Sequence, residues 1–190
     1  MIAPILPEFM ALYPKLSVRI HLINQVVDLV EEGYDLAIRL AAQLTDSTMV
    51  TSQLGQSHTI ICAAPEYCER HDEPLTPEEL LTHTCVLFGD EATAQWYFNN
   101  GSKPPKAIKV NGRLSANSIE AVHQVVLGGA GIGLLPEFIV QEDLQAGRLK
   151  PLLTEYETTS EFIYLVYPQR KLVATKIRCF IDFCKARIDQ

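Results

Sequence analysis

Val18-Arg-Ile-His-Leu22, Asn24-Gln-Val-Val-Asp-Leu-Val-Glu-Glu-Gly33 and Leu36-Ala-Ile-Arg-Leu40 together decide the fold class. Val18, Ile20 and Leu22 alternate with Arg19 and His21, which predicts a strand. Asn24 stands as an N-cap before Val26, Val27, Leu29 and Val30, whose spacing predicts a helix closed by Gly33. Leu36 to Leu40 predicts a second strand. Ahead of them Ile5, Leu6, Phe9, Met10 and Leu12 follow helical spacing, and Tyr13-Pro14 stops the helix, because a residue before proline is pushed out of the α region. Helix, strand, helix, strand in this order argues for a parallel sheet with right-handed crossovers, hence an α/β fold.

Downstream, Met49 to Leu54 and His58 to Ala64 read as two extended runs ended by Pro65. Thr76-Pro77 opens a short helix to Leu81, with Thr76 as N-cap and proline at the first helical position, where its missing N–H matters least. Strands are expected at Cys85 to Phe88, around Trp96 to Phe98, and at Ala107 to Leu114. Asn117 then caps a helix carrying Ile119, Ala121, Val122, Val125, Val126 and Leu127. Gly128, Gly129 and Gly131 end it before a buried strand at Ile132 to Leu135. Phe138 to Leu144 reads as helix, Leu149 to Leu153 and Glu161 to Tyr167 as strands, and Ala174 to Ile188 as an amphipathic closing helix.

Composition narrows the function classes. The 190 residues carry 16 Lys+Arg against 23 Asp+Glu, a formal charge of −7, so the chain offers no cationic face for nonspecific nucleic-acid binding. With 47% hydrophobic and 21% charged residues it reads as globular. No apolar run approaches the ~20 residues that cross a bilayer, and the start, Met1-Ile-Ala-Pro-Ile-Leu-Pro-Glu8, lacks the basic and apolar regions of a secretory signal. Cys62, Cys68, Cys85, Cys179 and Cys184 form an odd set without metal spacing, read as reduced thiols of a cytoplasmic protein. The five histidines show no HxxxH or HExxH spacing, and Gly129-Ala-Gly131 follows a helix and precedes a strand, the reverse of a dinucleotide fingerprint. No metal, no cofactor and no catalytic set are expected.

Several segments in order resemble the effector-binding domain of LysR-type transcriptional regulators. They are Pro4-Ile-Leu-Pro-Glu-Phe9 with Tyr13-Pro14, Val26 to Arg39, Cys62-Ala-Ala-Pro-Glu-Tyr67, Gly129-Ala-Gly-Ile-Gly-Leu-Leu-Pro136, Leu149-Lys-Pro-Leu-Leu153 and Phe180-Ile-Asp-Phe183. The resemblance runs from about Ile2 to Ile188. It implies two Rossmann-like lobes with a ligand cleft between them, similar to a type II periplasmic binding protein. One lobe would hold residues 1–60 and 170–190, the other 61–169. It further implies a small-molecule sensing and dimerisation domain whose DNA contacts belong to an N-terminal winged helix-turn-helix absent from this sequence. The family's domain also begins with a strand just before the residues equivalent to Met1 to Pro4, so the first lobe is expected to need that strand from elsewhere. A periplasmic-type solute-binding protein shares the lobes and is the alternative.

The candidate effector residues are Asn24, Gln25, Ala64, Asn117, Ser118 and Gly133. Asn24-Gln25 and Asn117-Ser118 open two helices, whose free N–H groups and positive dipole ends suit a small anion or carboxylate; capping alone would equally explain them. Ala64 follows a strand end, where open α/β sheets place ligands, and Gly133 fits either ligand contact or tight packing. Phe88 and Trp96 would serve as cleft walls or as core, and Arg39 as an anion partner or as an ion pair with Asp35 or Asp46. The resemblance implies that the helices of Pro4 to Leu12 and Ile119 to Leu127 pair across a homodimer or higher homo-oligomer through Phe9, Met10, Val122, His123 and Val126; the residues alone also allow both stripes to face their own core.

Overall fold

A computed structural model describes residues 2–23, 26–41, 49–99, 101, 104–169 and 174–188. In chain order its elements are α1 (Leu6–Leu12), β1 (Ala37–Ala41), β2 (Met49–Ala63), α2 (Pro65–His71), β3 (Cys85–Phe88), β4 (Thr93–Asn99), β5 (Lys106–Ala116), α3 (Ile119–Leu127), β6 (Ile132–Pro136), α4 (Glu137–Gln145), β7 (Lys150–Pro151), β8 (Glu157–Thr158), β9 (Ser160–Pro168) and α5 (Thr175–Ile188). Two compact units result, Met1–Ser57 with Glu161–Gln190, and His58–Ser160. The chain passes between them inside β2 and at the start of β9, against the 60/61 and 169/170 divisions expected from the sequence.

In the first unit α1 ends at Tyr13, whose N–H reaches the Phe9 carbonyl at 3.0 Å before Pro14 forbids another turn. Its Phe9 ring packs edge-on to Phe180 of α5 at 5.0 Å and against Phe183 at 5.2 Å. Ile177, Ile181 and Cys184 recur on one face of α5 and meet Leu54, Ile163 and Leu165 of the sheet. Here β1 pairs with β9 antiparallel, Ala37 opposite Val166 through Ala41 opposite Phe162, where the sequence pattern predicts parallel neighbours.

Two expected elements of this unit are corrected. Val18 to Leu22 forms no ladder: Val18, Ile20 and Leu22 are 38%, 54% and 92% exposed, and alternation without a paired neighbour makes an extended segment, not a strand. Val26 to Val30 forms no helix. Asp28 instead caps a single turn, its carboxylate accepting the N–H groups of Val30 at 2.8 Å and Glu31 at 3.1 Å, and Gly33 closes it at φ +74° with Tyr34 N–H bonded to the Leu29 carbonyl. Two β-branched residues ahead of a capping aspartate favour a turn over helix nucleation.

The second unit is a mixed sheet in the order β2-β6-β3-β5-β4-β8, with β7 also paired to β2. Strand β3 is parallel to β5 and β6, whereas β2 is antiparallel to β6. Alternation in β3 builds a core on each face: Cys85 and Leu87 pack with Tyr67, Leu80, Trp96 and Ile132, and Val86 packs with Val122, Val126, Leu135 and Val140 beneath α3 and α4. Gly131 and Gly133, like Gly112, make close approaches in the sheet. A Cβ at Gly131 would stand 2.5 Å from the Thr84 carbonyl oxygen, and one at Gly133 2.6 Å from Val126 Cγ2. Thr76 holds the N-cap position of the expected helix, which is a 3-10 turn over Pro77–Thr82, and its hydroxyl donates to the Glu79 carboxylate; of Leu149 to Leu153 only Lys150–Pro151 pairs as strand.

Candidate functional site

Strand direction decides which residues of the second unit share an end of the sheet. The parallel strands β3, β5 and β6 deliver their C-terminal ends to one side, carrying Phe88, Ala116 to Ser118, and Pro136. Because β2 runs the other way, its entry at Thr59, opposite Pro136, lies at that same end. C-terminal ends of parallel strands are where open α/β sheets receive ligands.

At this end α3 begins. Its N-cap is Ser118, whose Oγ accepts the Ala121 N–H at 3.3 Å while its carbonyl accepts that of Val122 at 3.1 Å. The N–H groups of Ile119 and Glu120 have no acceptor within the helix, as befits first-turn donors, and they carry the positive end of the helix dipole. Asn117, expected as the cap, lies one residue outside it and is exposed, because β5 runs on to Ala116 in register with Phe88. Beside the turn, Gly89 N–H bonds to the Ala116 carbonyl at 2.9 Å, and the Phe88 side chain is half exposed. Thr59 Oγ1 donates to Thr158 Oγ1 at 2.9 Å, and Ser160 Oγ lies 3.0 Å from His58 Nδ1. These hydroxyls had no motif to announce them, since Thr59 and Thr158 meet only through the fold.

The remaining candidates are not gathered here. Asn24 and Gln25 lie outside the described residues. Ala64 is fully buried at the far end of the sheet, where a Cβ on Gly129 would approach its Cβ to 3.9 Å; the nine residues of α3 separate that end from Ser118. Gly133 sits mid-sheet beneath Val126, so the space its missing side chain leaves is filled by α3. Trp96 is core. Arg39 donates to the Val27 carbonyl at 3.2 Å, while Asp35 pairs with Lys176 at 2.6 Å. A shallow pocket of about 320 Å³, lined by Glu73 to Leu75 and Lys150 to Glu155, is also at the Ala64 end.

Of the residues expected at a dimer interface, Phe9, Val122, His123 and Val126 are buried within their own units, and Met10 is half exposed. Burial also pushes the thiols of Cys62 and Cys85 up to about 12. Among the described residues no three or more His, Cys, Asp or Glu side chains group as a metal would require, and no helix is long and apolar enough to cross a membrane.

The LysR substrate binding domain family matches residues 1–189. The HTH-type transcriptional activator TtdR of Escherichia coli is 35% identical over 191 residues, which cover 100% of this chain and 61% of that protein. The HTH-type transcriptional regulator DmlR of Escherichia coli is 33% identical over 186 residues, covering 97% of this chain and 60% of that one. The chain thus spans about three fifths of the length of these relatives. Among solved structures, CrgA, a LysR-type transcriptional regulator from Neisseria meningitidis, superposes with a TM-score of 0.87 at 29% identity over 99% of this chain and 64% of its own. The regulatory domain of AphB from Vibrio vulnificus gives 0.81 at 25% identity, covering 98% and 91%. With a family match over nearly every residue and the mixed α/β architecture those structures share, the chain belongs to the LysR substrate binding domain family.

Proposed function

We propose that this chain is the effector-sensing part of a LysR-type transcriptional regulator. A small molecule binds one conformation of the regulator better than another, and that difference in affinity sets how far DNA binding shifts. The observation that carries this is the family match over residues 1–189, joined by relatives named as transcriptional activators and regulators, which favours a regulator over a solute-binding transport component. DNA contact is assigned to a part of the protein outside these residues, in keeping with a chain charge of −7. The regulator is a cytoplasmic homo-oligomer without catalytic turnover, and the two compact units are its two lobes. Association is carried by exposed positions of α1 such as Met10, with the buried Phe9, Val122, His123 and Val126 shaping the helices beneath.

The effector is a small anion, most simply a carboxylate. Its negative charge is received by the first-turn N–H groups of α3 beside Ser118, with Asn117 free to donate a side-chain amide and Phe88 offering an apolar wall. Asn24 and Gln25, outside the described residues, are proposed as further effector contacts.

A thermal-shift screen with small mono- and dicarboxylates, their neutral amides and aromatic acids, followed by calorimetry, tests this. A ligand of the native state at 100-fold excess over its Kd raises stability by about 2.7 kcal/mol. The expected result is saturable stabilisation by an acid and none by its amide, with Asn117→Ala weakening binding at unchanged ligand-free stability. Equal stabilisation by acid and amide, or an Asn117→Ala variant that binds as wild type, overturns the site.

A further inference from the structure

His123 of α3 is buried, and its Nε2 lies 2.7 Å from Oδ2 of Asp143 on α4. Asp143 is buried too, and Arg148 Nε donates to its Oδ1 at 2.5 Å. Burial pushes the Asp143 carboxyl up, but the hydrogen bonds from Arg148 and His123 outweigh it and hold the group below its ordinary value. Asp143 is therefore an ionised acceptor, and a neutral imidazole facing it must carry its proton on Nε2. That leaves Nδ1 as a bare acceptor, and this atom is buried without a hydrogen-bond partner. One turn back on the same helix, Glu120 Oε1 stands 4.0 Å from it. The Glu120 side chain is 66% exposed and accepts a hydrogen bond from Gln124 Nε2 at 3.1 Å.

We propose that His123 is a proton-operated latch on α3. Uptake of a solvent proton at Nδ1 draws the Glu120 carboxylate onto the imidazolium, frees Gln124, and completes a chain Glu120–His123–Asp143–Arg148 that ties the first turn of α3 to α4. The driving logic is hydrogen-bond satisfaction. A buried N–H without an acceptor is costly, so protonation at Nδ1 demands one, and Glu120 needs to close only from 4.0 Å to about 3 Å to supply it. The charged groups facing the imidazole and its carboxylate are Glu120 from α3, Asp143 from α4 and Arg148 from the turn after α4. Cys62 of β2 feels the Asp143 charge, but its thiol is pushed up to about 12, by burial first and by that carboxylate second, and it stays neutral. Glu120 is two residues past Ser118, so the latch moves a negative charge at the N-terminal end of α3. A proton thereby becomes a second input to the turn proposed to receive the effector, a link that rests on the proposed function, whereas the latch itself does not.

The test is NMR of the 190-residue chain labelled with ¹⁵N, taken from about pH 8 to about pH 5, the range an imidazole crosses. The expected result is the Nε2–H tautomer at the alkaline end. On acidification an Nδ1–H signal of His123 appears, and the Gln124 side-chain amide shifts in step with it. In Glu120→Ala, an exposed site whose change leaves the core intact, the Nδ1–H signal is lost to solvent exchange and the Gln124 amide no longer follows the imidazole. An Nδ1–H tautomer at the alkaline end, or an imidazole neutral down to the acid limit, overturns the latch. So does a Gln124 amide that follows His123 equally in both proteins. No arm uses an effector, so failure of the latch and failure of the effector site are separate results.

Discussion

Gly133→Ala separates packing from ligand contact at a position where the sequence allowed either. The added methyl would be placed 2.6 Å from Val126 Cγ2, with Leu135 Cδ1 and Cγ at 3.5 Å. Ordinary carbon–carbon contact needs about 3.5–4.0 Å, so α3 or β6 must give by roughly 1 Å, and overpacking of this kind typically costs about 1–3 kcal/mol. Taking ~2 kcal/mol and a urea m-value of ~2 kcal/mol/M, the midpoint falls by about 1 M. Trp96, the single tryptophan, is buried in the second unit's core, so its fluorescence reports the unfolding of that unit. Val126→Ala removes the clashing methyl at the cost of a cavity, so the double variant is expected to fall short of the sum of the two losses by about 1–2 kcal/mol, the coupling of residues in contact. Strictly additive losses would refute the geometry, as would a Gly133→Ala chain of unchanged midpoint.

Amide exchange read residue by residue is expected to show Val18, Ile20 and Leu22 essentially unprotected, against slow exchange at Leu165 within its ladder to β1; protection at Val18 to Leu22 in a monomer would mean a partner for that segment exists within the chain. Asp143, held below its ordinary value, contributes stability that is full above the usual carboxylate range and is lost as pH falls through its folded value. Melting temperature should therefore drop more steeply for wild type than for Asp143→Asn as pH falls below the usual carboxylate range, and parallel curves would show that the carboxylate carries no such linkage. Cys62 and Cys85, fully buried with thiols near 12, are expected to resist alkylation in the native chain near neutral pH until urea unfolds the second unit, as mass spectrometry of the labelled peptides would report; rapid native labelling of either would contradict the core.

Local patterns carried much of the fold. Phe9, Ile177 and Ile181 lie on helix faces that any amphipathic spacing exposes to view, and Pro14 stops α1 by a conformational rule that needs no tertiary partner. Ser118 and Asn117 show where such rules run out. Both are good caps, and the choice between them is made by how far β5 continues beside β3, with Ala116 still paired to Phe88. Val18 to Leu22 fails for a related reason: its alternation marks an extended chain, but a strand is a property of two segments, and no second segment pairs with it among the described residues.

Placement of the site depends on pairing sense, which alternation does not encode. Cys62-Ala63-Ala64 reads as a strand end, which is why the rule that ligands gather at carboxyl ends points to Ala64. That rule presumes parallel neighbours. Cys85 opposite Ile132 and Phe88 opposite Ala116 satisfy it, so Phe88, Asn117 and Ser118 converge. Cys62 opposite Gly133 is antiparallel, which sends Ala64 to the other end beside Gly129. The antiparallel partner does bring Thr59, opposite Pro136, to the Ser118 end of the sheet, although its hydroxyl belongs to no motif. A polar residue of an antiparallel strand that lies beside the carboxyl end of a parallel one is therefore as strong a site candidate as a residue leaving a parallel strand.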